Sequence, residues 1–106
     1  MSRYEAIQSR SHDAGELVLG YSDAIEMLHL FEKRSTRILG WEGWILYPSG
    51  EMGHSEAHQG TVDLSEISVG AALALVKSTI QQANVEWQKN PEVEGGQLLF
   101  CITPET

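Results

Sequence analysis

The most regular hydrophobic pattern in the chain lies between residues 69 and 87. Apolar side chains recur there every three or four positions, at Val69, Ala72, Leu73, Val76, Ile80, Ala83 and Trp87. The opposite side carries Lys77, Gln81, Asn84 and Gln88. This spacing predicts an amphipathic helix. Ser65 or Ser68 can cap its start, and Asn90 can end it, because the residue before a proline disfavours the helical conformation.

A second helical pattern predicts an amphipathic helix over residues 23–38. Its apolar face holds Ala24, Met27, Leu28, Phe31, Ser35 and Ile38. Ser22 or Asp23 can cap it, and with Asp23 as the cap, Glu26 falls three residues later, as in a capping box. Gly40 is a plausible C-terminal stop.

Residues before this helix favour a hairpin. Residues 4–8 form its first strand, residues 9–15 a polar turn, and residues 16–20 the second strand. A frayed N-terminal helix is the alternative.

The remaining segments are strand-like. Residues 41–47 are rich in aromatic and β-branched side chains, and Pro48-Ser49-Gly50 signals a turn into a partner strand over residues 51–58. A third strand is expected at residues 61–63. Residues 98–102 are apolar on both alternations, which indicates an interior strand. The predicted fold is a single α+β domain, with both amphipathic helices packed on one face of a mostly antiparallel sheet.

Composition narrows the range of partners. The chain has 106 residues, enough for one domain, and 15 acidic against 7 basic side chains give a net charge of −8. An acidic surface disfavours nucleic acid and anionic membranes, which both require a basic face. The longest apolar run is far shorter than the ~20 residues of a membrane helix. One cysteine and no signal-like N-terminus favour a reducing, cytoplasmic setting.

The most pointed chemical pattern is His54-Ser55-Glu56-Ala57-His58. Residues two apart on a regular strand share a face, so His54, Glu56 and His58 would project together. Two imidazoles and a carboxylate suit Zn²⁺, or Fe²⁺ with open positions. The competing interpretation is a solvated polar strand face. A small metal-binding domain, with or without enzymatic activity, is therefore one hypothesis.

Catalytic motifs are missing from the sequence. Cys101 lies inside an apolar strand, where a free cysteine behaves as a small core residue. The chain has no nucleophile elbow and no glycine-rich phosphate loop. We therefore expect a protein that is not an enzyme. An oligomerisation or accessory subunit is a further alternative.

Acidic and aromatic side chains concentrate in residues 41–66, where no Lys or Arg occurs. Trp41 and Trp44 are three apart, so one faces the core and the other can anchor a partner. The candidate contacts to a basic protein are Trp41, Glu42, Glu51, Glu56, Asp63 and Glu66. The competing interpretation is an ordinary solubilising surface.

The same region carries a resemblance. Gly40-Trp41-Glu42-Gly43-Trp44-Ile45-Leu46-Tyr47-Pro48-Ser49-Gly50, followed by Gly53-His54-Ser55 and Gly60-Thr61-Val62-Asp63-Leu64, resembles immunity proteins of bacterial polymorphic and contact-dependent toxin systems. These are small, acidic, cytoplasmic α+β proteins that bind and block a toxin domain, often a nuclease. The resemblance implies a non-enzymatic inhibitor whose partner is a cognate basic toxin. It assigns no contact residues, because no shared motif maps them.

Overall fold

The computed structural model describes residues 2–60, 64 and 66–105. Within them lie the helices α1 (Arg3–Gln8), α2 (Tyr21–Lys33) and α3 (Val69–Lys89) and the strands β1 (Leu17–Leu19), β2 (Ile38–Leu46), β3 (Met52–Gln59) and β4 (Gln97–Pro104). The described strands form one antiparallel sheet in the order β1-β4-β2-β3. The predicted α+β class is confirmed. The third strand expected at residues 61–63 lies outside the described residues.

Strand β4 is interior, as its uninterrupted apolar run predicts. It pairs with β1 on one side and with β2 on the other. Its side chains alternate between two hydrophobic clusters. The larger cluster, which contains Leu98, Phe100 and Ile102, includes the buried faces of α2 and α3. The smaller cluster contains Leu99, Cys101 and Val18 of β1. One face of β4 therefore packs in the cluster with the helices, and the other packs in the smaller cluster on the opposite side of the sheet.

Helix α3 matches its prediction closely. Ser68 is the N-cap, and its hydroxyl accepts a hydrogen bond from the backbone N–H of Ala71 at 3.1 Å. The other candidate cap, Ser65, lies outside the described residues. The helix ends at Lys89, and every predicted apolar position from Ala72 to Trp87 is buried against the sheet or α2. The buried stripe explains why the helix packs where it does.

The predicted N-terminal hairpin is wrong: its second strand is present as β1, but it pairs with β4, and residues 3–8 form a helix, which was the alternative. Ser2 and Glu5 form a capping box that starts α1. Ile7 is fully buried, and the ring of Tyr4 meets Phe31 of α2 edge-on at 6.0 Å. Tyr4 and Ile7 are three residues apart, so a helix places both on the face that packs on the core.

Helix α2 is shorter than predicted and begins earlier. Gly20 is its N-cap with no side-chain hydrogen bond, so neither Ser22 nor Asp23 acts as the cap. Glu26 instead binds Arg3 of α1. The helix ends at Lys33, and Ser35 takes a left-handed conformation with φ of 53°. The chain then reverses, so that Ile38 starts β2 rather than ending the helix.

The predicted hairpin between β2 and β3 is confirmed, with an irregularity. Gly50 occupies the turn at φ of 91°, and its N–H donates to the carbonyl of Tyr47. Trp44 pairs with His54, but Glu42 pairs with Gln59. Residues 55–58 of β3 therefore bulge past Gly43, which breaks the regular alternation of side chains along β3.

This bulge makes Gly43 sterically restricted. Gly43→Ala is expected to lower the free energy of unfolding by about 1–3 kcal/mol. An added Cβ would lie 2.5 Å from the backbone oxygen of His58. Gly40→Ala on the same strand is the matched control, because nothing lies within 4 Å of a Cβ there. Urea unfolding measures the free energy of unfolding of both variants. Equal loss in the two variants would contradict the close approach of β3.

None of the described helices is both long enough and apolar enough to cross a bilayer.

Candidate functional site

The sheet has one face that α2 and α3 do not cover, which we call the outer face. Its buried part is the cluster of Val18, Leu99 and Cys101. Trp44, Leu46 and Met52 pack over this cluster and remain partly exposed. Residues 9–16 lie next to β1, where the hydroxyl of Ser11 accepts a hydrogen bond from the N–H of Val18. The outer face therefore consists of a buried apolar cluster with partly exposed side chains, among them an indole, packed over it.

Trp44 is the centre of a polar and aromatic group on this face. Its ring lies 4.9 Å from the ring of His54, and its indole N–H points to Glu42 Oε1 at 3.5 Å. Glu42 Oε2 lies 3.7 Å from His54 Nδ1. The side chains of Glu42 and His54 are 38% and 63% exposed. An exposed carboxylate therefore stands directly beside a partly exposed indole.

Trp41 occupies the opposite side of the same strand. It is 4% exposed, its indole N–H donates to Thr79 Oγ1 at 2.9 Å, and its ring packs on Phe100. Of the two indoles that the sequence offers as anchors, Trp41 thus belongs to the core. Trp44 is the one with surface available to a partner.

The other predicted contact residues are spread along the chain. Glu51 lies beside the hairpin turn, Glu56 in the bulge of β3, and Glu66 before α3, and all three are exposed. Asp63 lies outside the described residues. Among the described residues, no hydrogen bond or ion pair joins these three acids to Glu42. Of the predicted acidic contacts that the structure describes, Glu42 is the one that lies beside an aromatic anchor.

The predicted metal ligands His54, Glu56 and His58 do not converge. His58 is 7% exposed and packs edge-on against Trp87 of α3, with Nδ1 3.9 Å from Glu86. His54 lies on the outer face. The bulge causes this separation, because it turns Ser55 inward, where its hydroxyl binds Glu92 and accepts the N–H of His58. The expectation that the three share one strand face is wrong.

A different set of potential ligands does come together. One ligand atom from each of Glu16, Glu42 and Cys101 lies within 4.8 Å of the other two. Glu42 and Cys101 are direct cross-strand partners between β2 and β4, and Glu16 immediately precedes β1 on the other side of β4. It is the sole group of three such ligands in the described part of the chain. The register of the strands creates it.

A cavity of about 480 Å³ opens next to this group. Its walls come from α1, from residues 11–17 and from β4, and they include Tyr4, Ser11, Asp13, Glu16 and Cys101. Tyr4 and Ser11 contribute hydroxyl groups, and Asp13 and Glu16 contribute carboxylates. Within the described ranges of the chain, no Lys or Arg lines it. The cavity therefore gives solvent a route toward Cys101, the buried member of the group.

Burial raises the pKa of the Cys101 thiol to about 12, and the negative charges of Glu16, Glu42 and Asp13 add to the shift. A thiol with a raised pKa stays protonated below that pKa, so Cys101 is neutral at pH 8. An ordinary cysteine, with a pKa near 8.5, is partly thiolate there. Cys101 is therefore not an activated nucleophile.

We expect alkylation of Cys101 in the folded protein at pH 8 to be slower than in the urea-unfolded chain. The lower thiolate fraction alone predicts a difference on the order of a thousandfold. Mass spectrometry of samples quenched over time measures both rates. A folded-state rate equal to the unfolded-state rate would contradict the buried, neutral thiol.

The basic side chains lie away from the strands. The seven Lys and Arg residues lie in the three helices or in the segments that follow α1 and α2. Arg10 pairs with Asp23 at 2.8 Å, Arg34 lies over the ring of Tyr4, and Arg37 donates to two backbone carbonyls. The carboxylates of the outer face therefore have no basic counterpart among the strand residues.

Comparison with protein-family models, curated proteins and solved structures gave no match.

Proposed function

We propose that this chain is an acidic protein-binding module, and specifically an immunity protein that binds and neutralises a basic toxin domain of the nuclease type in the cytoplasm. The observation that carries the proposal is the outer face. A partly exposed indole, Trp44, stands beside the carboxylate of Glu42 on a sheet whose four described strands contain no Lys or Arg.

Charge complementarity supports a basic partner. A nuclease domain has a basic surface because it binds the phosphates of its substrate. A chain of net charge −8 would be steered toward such a surface, which raises the association rate. The same charge disfavours nucleic acid itself as the partner.

The structure of binding hot spots supports Trp44 as the anchor. Hot spots are enriched in tryptophan, which buries a large rigid area, and they are surrounded by contacts that contribute little energy but exclude water. Trp44 is fixed from below by Leu99, its cross-strand neighbour, and from the side by His54. An anchor held in one orientation loses little side-chain entropy on binding. Glu42 is its immediate polar neighbour, and Glu51, Glu56 and Glu66 are candidate outer contacts.

Co-expression with the toxin domain encoded by the neighbouring gene tests the proposal. We expect the chain to restore growth of cells that produce the toxin and to bind the purified toxin domain. Failure both to bind and to rescue growth would contradict it. A stable oligomer of the chain alone, without toxin binding, would favour the accessory-subunit alternative.

The salt dependence of association tests the electrostatic part of the proposal. We expect the association rate constant to fall about tenfold or more as the ionic strength rises from low to physiological, because salt screens charges beyond about 8–10 Å. Surface plasmon resonance at several salt concentrations measures it. An association rate that does not change with salt would contradict steering by the acidic surface.

A further inference from the structure

We propose that Glu16, Glu42 and Cys101 form a site for a thiophilic divalent cation of the Zn²⁺ class. The three residues come from three separate segments, and the pairing of β1 and β2 with β4 brings them together. This site is distinct from the partner surface in its chemistry, although Glu42 belongs to both.

The first support is the donor set. Zn²⁺ binds cysteine sulfur at about 2.3 Å and carboxylate oxygen at about 2.0–2.2 Å, in a tetrahedral arrangement. The donor atoms here already lie within 4.8 Å of one another. Small rotations of the two glutamate side chains, which are not buried, can close the remaining ~1 Å. A fourth position remains for water. Ca²⁺ and Mg²⁺ are disfavoured, because they take oxygen ligands alone.

The second support is the buried sulfur. Cys101 is 1% exposed, and its thiol makes no hydrogen bond to any described residue. It is a direct neighbour of Glu42 and is not enclosed by apolar groups alone. Binding of the cation would form a sulfur–metal bond and release the thiol proton to water.

The third support is the absence of a competing cation. Among the described residues, no Lys or Arg lies within ion-pair distance of Glu16 or Glu42. Two carboxylates that converge without a basic partner repel each other. A divalent cation would remove that repulsion. The contacts of Glu42 with Trp44 and His54 would hold its carboxylate in place, as neighbouring groups commonly do for metal ligands.

Cobalt titration of the untagged, chelator-treated protein tests the proposal. Co²⁺ is the probe, because a cysteine ligand gives a sulfur-to-cobalt charge-transfer band in the near ultraviolet. We expect the band to saturate at one equivalent and to disappear on addition of Zn²⁺. Zn²⁺ should also raise the melting temperature of the wild-type protein. Absence of the band would overturn the proposal.

Variants locate the cation. Cys101→Ser should abolish the band, and Glu16→Gln or Glu42→Gln should weaken Co²⁺ binding about tenfold or more. Glu94→Gln, at an exposed position before β4, is the matched control and should change nothing. His58→Ala should also keep the band, because His58 packs on Trp87 of α3 and does not contact the three ligands. Binding that survives both glutamate substitutions would overturn the site. Circular dichroism checks that each variant is folded, and no toxin is needed, so failure here leaves the proposed function to its own test.

Discussion

Phe100→Ala is expected to remove about 3–5 kcal/mol from the free energy of unfolding. Phe100 is fully buried at the middle of the interior strand β4. Its ring lies 5.4 Å from that of Trp41 and 6.1 Å from that of Tyr21, so it joins β2 to the start of α2. Loss of the ring would leave a cavity that three elements line. Domains of this size have a stability of about 5–15 kcal/mol, so the effect would be large.

Urea unfolding followed by tryptophan fluorescence measures this loss, and the midpoint should fall by about 2 M for a slope near 2 kcal/mol per M. Phe100→Leu keeps most of the volume and should cost less, which provides a result if the alanine variant does not fold. Val85→Ala is the surface control, because Val85 is 48% exposed on α3. A Phe100→Ala effect no larger than that of the control would contradict the central position of this ring.

The elements that the sequence predicted best are those whose packing is visible in a local pattern. Helix α3 shows its whole buried stripe within 19 residues, and β4 is apolar on both faces because it lies between two strands and two clusters. The N-terminal segment failed for the opposite reason. Residues 4–8 are too few to show a period, and their helical state depends on the contacts of Ile7 and Tyr4 with distant residues.

The outer face could be predicted only in part. Alternation along β2 shows that Trp41 and Trp44 face opposite sides, but not which side the helices cover. Proximity of Glu42 and Cys101 depends on the register of β2 against β4, which no local pattern encodes. The sequence carries at most a glycine at position 43 as a sign of the bulge in β3, because the burial of Ser55 and the place of Gly43 opposite the bulge are seen only in the structure. The prediction that His54 and His58 share one face failed because it assumed a regular strand.

Trp44→Ala is expected to weaken binding of the toxin domain about 30- to 1000-fold, which corresponds to about 2–4 kcal/mol. The indole is the large apolar group beside the acidic part of the outer face, and its orientation is fixed by His54 and Leu99. Most of the loss should appear in the dissociation rate, because truncation of an anchor removes contacts made only in the complex. Calorimetry and surface plasmon resonance measure the two quantities.

Charge reversal at Glu42 tests the electrostatic effect on the association rate, separately from the contact that Trp44 makes in the complex. Glu42→Lys should lower the association rate and reduce its salt dependence, because it places a positive charge where the basic partner docks. Glu94→Lys makes the same charge change on an exposed loop outside the sheet, so it separates a local effect of Glu42 from the change in net charge.

Trp44 also packs on the small outer cluster, so unfolding measurements must show that its variant stays folded. If Trp44→Ala and Glu42→Lys keep wild-type affinity while Val85→Ala on α3 loses it, the toxin docks on the helical layer and the outer face is not the interface.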